Sequence, residues 1–102
     1  MTELDPQDVA RRLQEGSQLI DVRPPEVREG ERIAGDRQIE FDQLSERANE
    51  VKSDTAVVFY CRTGKRSEMA AEAFRGSGHD AYHLGGGIEA WKAAGLPVEQ
   101  DA

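Results

Sequence analysis

The run Ala56-Val57-Val58-Phe59-Tyr60 constrains the fold more than any other stretch of this chain. It is apolar throughout, as a strand covered on both faces by other elements would be. Strands of that kind belong to mostly parallel sheets, and such sheets need crossover connections. The rest of the sequence supplies them. A helix is predicted from about Pro6 to Glu15, with Asp5 as N-cap, Pro6 in the first helical position, Gly16 as the stop, and Val9 and Leu13 on one face. Leu19-Ile20-Asp21-Val22 is a short buried-strand candidate that Pro24-Pro25 must end, since proline cannot donate to a ladder. Glu26 to Asp36 is charged and poorly periodic, a loop with room for one helical turn. Gln38 to Phe41 has the makings of a short strand, and Leu44, Ala48 and Val51 are spaced for one face of a helix over roughly Asp42 to Val51.

Beyond the apolar run a helix is predicted from about Ser67 to Arg75, with Gly76 past its end. Asp80 to Leu84 reads as a further strand, Gly85-Gly86-Gly87 breaks the chain, and Ile88 to Ala94 forms a last helix stopped by Gly95 and Pro97. Strands alternating with helices predict an α/β fold. It has three layers, with an open, mostly parallel sheet of about four to five strands flanked by helices. At 102 residues the natural expectation is one domain, residues 1–102, with its core from about residue 4 to residue 98. There is no internal repeat and no low-complexity tract, and only the acidic tail, Glu99 to Ala102, looks frayed.

Charge narrows the function classes. Thirteen Lys and Arg stand against twenty Asp and Glu, a formal net charge of -7. A field of that sign repels nucleic acid and anionic membranes, so neither is an expected partner. No apolar run approaches the roughly 20 residues of a membrane span. Met1 to Asp5 lacks the basic start and apolar stretch of a secretory signal. A single cysteine cannot form an internal disulfide, and a cytoplasmic location is the expectation.

Against this acidic background, Cys61-Arg62-Thr63-Gly64-Lys65-Arg66-Ser67 is a local basic exception. It leaves the carboxyl end of the apolar strand, where ligands bind in sheets of this type, and runs into a helix N-terminus. Unpaired amides and the helix dipole there favour negative charge. Gly64 lets the backbone approach a ligand closely, Arg62, Lys65 and Arg66 add charge, and the Ser67 hydroxyl suits a helix cap. Together they form an anion cradle with a sulfur at its base, which should stabilise the Cys61 thiolate, the nucleophilic form. An inert buried cysteine is the bland alternative, and the loop weighs against it.

Two chemistries use such a cradle. Cysteine-dependent phosphate-ester hydrolysis requires an Arg six residues after the cysteine to clamp the phosphoryl oxygens. Here the sixth residue is Ser67, and Arg66 comes one place too early. Sulfane-sulfur transfer fits a tighter loop: cysteine attacks the outer sulfur of a donor such as thiosulfate, sulfite leaves, and a persulfide remains.

At this point the chain resembles the rhodanese family of sulfurtransferases, over nearly its whole length. Leu19 to Arg23 is similar to the family's early strand with its Asp-Val-Arg ending, and Val57 to Ser67 to its central strand and active-site loop. Leu84-Gly85-Gly86-Gly87-Ile88-Glu89-Ala90-Trp91, followed by Gly95-Leu96-Pro97-Val98, is similar to its C-terminal signature. The resemblance implies a sulfurtransferase that needs no metal or other cofactor. Cys61 would accept sulfur, and Arg62, Thr63, Gly64, Lys65 and Arg66 would form the binding loop. Asp21, Arg23 and Ser67 would support that loop, with Asp21 reaching it through Arg66. The implied partners are a small anionic donor and a thiol acceptor such as thioredoxin, glutathione or a protein carrier; cyanide also serves as acceptor in this class. The alternative within the family is a non-catalytic sulfur-carrier or interaction module. One stretch departs: Glu31-Arg32-Ile33-Ala34-Gly35-Asp36 has Arg32 where the family often has His. That region lies near the pocket rim in the family, so Arg32 is expected to bear on donor preference and docking.

His79 and His83 are four apart but straddle a turn and a strand, a poor spacing for a metal. Trp91 beside Ile88 reads as core. The Gly85-Gly86-Gly87 run lacks the Lys-Ser/Thr of a phosphate loop and is best explained by a tight turn into the last helix.

Overall fold

The computed structural model describes residues 2–28 and 30–100. Its centre is the apolar run, which forms strand β4, Val57–Tyr60, with every residue buried. Before it come β1 (Glu3–Leu4), helix α1 (Pro6–Gln14), β2 (Gln18–Asp21), the short helix α2 (Pro25–Arg28) and β3 (Arg37–Gln38). After it come helix α3 (Lys65–Gly76), β5 (Ala81–Leu84) and helix α4 (Gly87–Ala93). The strands form one sheet in the order β1-β5-β4-β2-β3, with every pairing parallel.

Alternation along β4 sorts the core into two halves. Val57 and Phe59 face α3, packing with Ile20, Val22, Ala70, Ala71 and Phe74. Val58 and Tyr60 face the opposite side, with Val9 of α1 and Ile88 and Trp91 of α4. The result is the expected three-layer arrangement, in which each strand residue reaches one helical layer because side chains alternate across the pleat.

α1 begins as its sequence predicts. The Asp5 carboxylate accepts the Asp8 amide at 2.8 Å and Pro6 opens the helix. Three local expectations are corrected. The N-terminal pair Glu3–Leu4 adds an edge strand against His83 and Leu84. A two-residue strand has too few residues to display a period, so only its neighbour reveals it. The predicted helix over Asp42 to Val51 is instead two 3-10 turns, Phe41–Gln43 and Ala48–Glu50. Leu44 and Val51 are buried and Ala48 packs against them as their spacing implied, but Asp42, Ser45 and Asn49 offer the backbone competing turn conformations. Finally, the tail does not fray at Glu99. Its amide and carbonyl pair with Arg32 at 2.7 and 2.8 Å, while residues 101–102 of the expected frayed tail lie outside the described residues.

Candidate active site

All strands of a parallel sheet end at one edge, so the loops after β2, β4 and β5 converge there. Cys61 follows directly on β4 and is buried, 6% exposed. Gly64, with φ 108°, turns the chain from strand into helix within three residues and occupies the N-cap of α3. This corrects the expected role of Ser67 as the cap: α3 starts at Lys65, and Ser67 is buried in its first turn. There its hydroxyl lies 3.2 Å from the Gly64 carbonyl oxygen and 3.5 Å from the Cys61 Sγ; its one proton goes to the carbonyl beside a neutral thiol and can turn to the sulfur when that is a thiolate. The Gly64 amide donates to the sulfur at 3.1 Å. Burial pushes the Cys61 thiol up, but the Ser67 hydroxyl and the amides of Ser67, Gly64 and Thr63 outweigh it, holding the thiol below its ordinary range. The thiolate is therefore favoured by hydrogen-bond donors at the sulfur, in the manner of a helix N-terminus that binds an anion.

The predicted loop residues are brought together. Arg23, Pro24, Val27, Arg62, Thr63, Lys65 and Arg66 surround a cleft of about 360 Å³ above Cys61. Arg62, Thr63, Lys65 and Arg66 are exposed on its rim, while Gly64 is buried beneath them. Arg62 stands 3.7 Å from Glu89, a loose surface pair. A larger groove of about 530 Å³ runs beside α3 between Phe41, Met69 and Phe74, but it holds no thiol; Cys61 lines the smaller cleft.

Asp21 and Arg23 do lie behind the loop, with one correction. The expected contact of Asp21 with Arg66 is not the one formed. Asp21 is fully buried, and Arg23 grips it: Nε donates to Oδ1 and Oδ2 at 3.0 and 3.1 Å, Nη2 to Oδ2 at 2.8 Å, and the Arg23 amide to Oδ1 at 2.9 Å. Residues two apart at a strand end project to the same side, so the guanidinium folds back on the carboxylate, while Arg66 points outward from α3. Arg23 Nη2 also donates to the Glu31 carbonyl at 2.8 Å, tying the segment after α2 to the site.

Several supporting groups escape a sequence reading. The Tyr60 hydroxyl donates to Asp36 at 2.5 Å and accepts from the Ile33 amide at 3.2 Å. Burial first, and then the Asp21 charge, drive its pKa far above the ordinary tyrosine value, so it stays neutral. Gly87 is more than a turn residue. A Cβ there would lie 2.3 Å from the Arg62 carbonyl oxygen and 2.5 Å from that of Cys61. Its closeness lets the next amides reach the loop, Ile88 donating to the Cys61 carbonyl at 2.9 Å and Glu89 to that of Arg62 at 3.3 Å. The signal in the sequence is the glycine run at the carboxyl end of a strand beside the cysteine strand. Arg32, expected to influence the rim, is turned aside to Asp36 and Glu99 at 3.5 and 3.0 Å and lines neither the cleft nor the groove.

The His83 ring bonds the Thr2 hydroxyl at 2.8 Å, and His79 packs edge-on against Phe74. Among the described residues no group of three or more His, Cys, Asp and Glu is placed to hold a metal ion. No helix among them is long and apolar enough to cross a membrane.

Comparison with known proteins agrees with this geometry. The profile of the rhodanese-like domain matches residues 5–94. The chain is 43% identical over 76 residues to the uncharacterized protein YqhL of Bacillus subtilis, a match covering 74% of this chain and 60% of that one. The match thus leaves a good part of that relative's length unspanned. A protein named sulfurtransferase from Allochromatium vinosum is 33% identical over 102 residues, covering 96% of this chain and 94% of that one. Among solved structures, a rhodanese-related protein from Thermoplasma volcanium superposes with a TM-score of 0.91 at 25% identity, covering 97% of this chain and 98% of that one. With a sheet, a cysteine loop and a matching profile that extend over most of its length, the chain belongs to the rhodanese-like domain family.

Proposed function

We propose that this protein is a sulfurtransferase that carries sulfane sulfur on Cys61. The observation that carries the reading is the donor set at the sulfur, with the Gly64 amide at 3.1 Å and the Ser67 hydroxyl at 3.5 Å favouring the thiolate. The thiolate attacks the outer sulfur of a donor such as thiosulfate. A new S–S bond forms on Cys61, the donor's S–S bond breaks, and sulfite departs with the electron pair. An acceptor thiolate or cyanide ion then attacks the outer sulfur of the persulfide, and the bond to Cys61 Sγ breaks with its electron pair, returning Cys61 to the thiolate. No step needs a base beyond the groups that already stabilise the thiolate. The exposed Lys65, Arg62 and Arg66 are suited to steer an anionic donor that the acidic remainder of the surface would repel. Phosphoryl transfer fits less well, because Ser67 stands where an Arg fork would be needed and Arg66 faces outward.

The test is intact mass after incubation with thiosulfate. A gain of one sulfur that cyanide removes, and that Cys61→Ser lacks, supports the reading. A protein that takes up no sulfur from thiosulfate or from an organic persulfide would leave a non-catalytic interaction module.

A further inference from the structure

The cleft above Cys61 has a neighbour of similar size, about 370 Å³. The two share Arg23, Val27 and Arg62, so they lie side by side along one trough; the second adds Glu31, Ile88, Glu89 and Lys92. Each is in the size range, roughly 300–1,000 Å³, that holds small organic ligands. A single tetrahedral dianion such as thiosulfate has no use for the second cleft, which contains no thiol and does not reach Cys61.

Its chemistry differs from that of the first. The first cleft is uniformly cationic at its rim, with Arg62, Lys65 and Arg66. The second is balanced once Arg23 is set against its own partner Asp21: Arg62 and Lys92 face Glu31 and Glu89 beside the apolar Val27 and Ile88. Lys92 pairs with Glu31, and Arg62 stands 3.7 Å from Glu89, too far for a hydrogen bond. The side chains of Arg62 and Glu89 are 70% and 55% exposed, so each can exchange this loose partner for a ligand group at little cost. Neither a dianion nor a dication gains net attraction from such a set. A molecule bearing both a carboxylate and an ammonium gains twice, the carboxylate on Arg62 or Lys92 and the ammonium on Glu89 or Glu31.

We propose that the second cleft is the acceptor subsite and that it takes the charged head of a zwitterionic amino-acid or small-peptide thiol, whose sulfur enters the first cleft. This rests on the sulfurtransferase reading of Cys61. The acceptor thiolate attacks the outer sulfur of the Cys61 persulfide and forms an S–S bond. The bond to Cys61 Sγ breaks with its electron pair, leaving the Cys61 thiolate and an acceptor persulfide, with no external oxidant or reductant. The donor half-reaction uses the first cleft alone, so the two substrates are recognised by different charges in one trough.

The experiment separates the two claims. The protein is first loaded with thiosulfate, and the mass gain of one sulfur tests the chemistry of Cys61 by itself. The loaded protein is then titrated with glutathione, with 3-mercaptopropionate (anion only), with cysteamine (cation only), with 2-mercaptoethanol and with cyanide. This is done in the parent, in Glu89→Lys and Lys92→Glu, and in the milder Glu89→Gln and Lys92→Gln should either reversal lower the melting point. Glutathione should saturate at a lower concentration than any of the singly charged or neutral thiols. Each variant should raise its half-saturating concentration about fivefold, the scale of one exposed ion pair, while cyanide and 2-mercaptoethanol respond as in the parent. Equal effects on all acceptors, no effect on any, or transfer to a protein thiol such as thioredoxin but to no small thiol would overturn the subsite with loading intact. Failure to load would remove the sulfurtransferase reading and the subsite with it.

Discussion

Removing the Arg23 side chain is the most informative single perturbation of the scaffold. Asp21 is fully buried at the end of β2, and the guanidinium meets both of its carboxylate oxygens through Nε and Nη2 at 2.8 to 3.1 Å. In Arg23→Ala that carboxylate stays buried and loses the guanidinium fork that meets both of its oxygens. Breaking one side of a buried pair costs about 3–5 kcal/mol. The Arg23 amide at 2.9 Å is backbone and survives the substitution, so the lower end, about 3 kcal/mol, is the expected loss. For a chain of this size that loss lowers the melting temperature by more than about 10 °C, at about 4–8 °C per kcal/mol. Arg66→Ala, which removes an exposed side chain from the first turn of α3, should cost no more than about 0.5 kcal/mol. Arg23→Lys should rescue little, since an ammonium cannot span two carboxylate oxygens as the fork does. Asp21→Leu in the Arg23→Met background should recover part of the loss, because an apolar pair leaves no buried charge. The assay is urea denaturation and thermal melting of all five proteins at neutral pH. If Arg23→Ala melts with the parent, or if Arg66→Ala costs as much as Arg23→Ala, the Arg23 fork is not what holds the carboxylate.

Other expectations follow from the site. Ser67→Ala removes the hydroxyl 3.5 Å from Sγ and, at that long distance, should slow sulfur uptake from thiosulfate near neutral pH by about fivefold, or about 1 kcal/mol, with the deficit shrinking at high pH; a parallel pH–rate profile would refute it. Because the folded-state thiol pKa lies below its unfolded value, the stabilisation from Cys61 is present above the unfolded pKa and is lost as pH falls through the folded one. Denaturant titrations across that window should therefore give the parent a steeper rise of stability with pH than Cys61→Ser, and equal slopes would contradict the depressed thiol. Lys65→Ala should raise KM for thiosulfate more than for an uncharged persulfide donor, and equal effects on both donors would dismiss its role as a rim charge. Gly87→Ala would drive a Cβ to 2.3 Å from the Arg62 carbonyl oxygen at a backbone φ of 64°, so it should cost stability and sulfur uptake together; a variant that melts and turns over like the parent would show that the α4 start does not hold the loop.

Taken by itself, the sequence determined the architecture and the place of the one thiol, because both are written in local pattern. An all-apolar β4 has to be central, the Asp5-Pro6 start has to open a helix, and a cysteine followed by Gly64 and basic residues at a strand end has to face a helix N-terminus. Long-range geometry decided the rest. Whether Arg23 or Arg66 would meet Asp21 depended on which side chain the fold turned inward. Whether Ser67 would cap the helix or touch the sulfur depended on α3 starting at Lys65. The role of Gly87 appeared only when β5 was laid beside β4, since a glycine's tolerance for close approach has meaning only once the approaching backbone is known. The balanced cleft beside the cysteine joins residues of α2, the loop after it, the cysteine loop and α4, which no spacing in the sequence relates; packing against a common sheet edge is what made them neighbours.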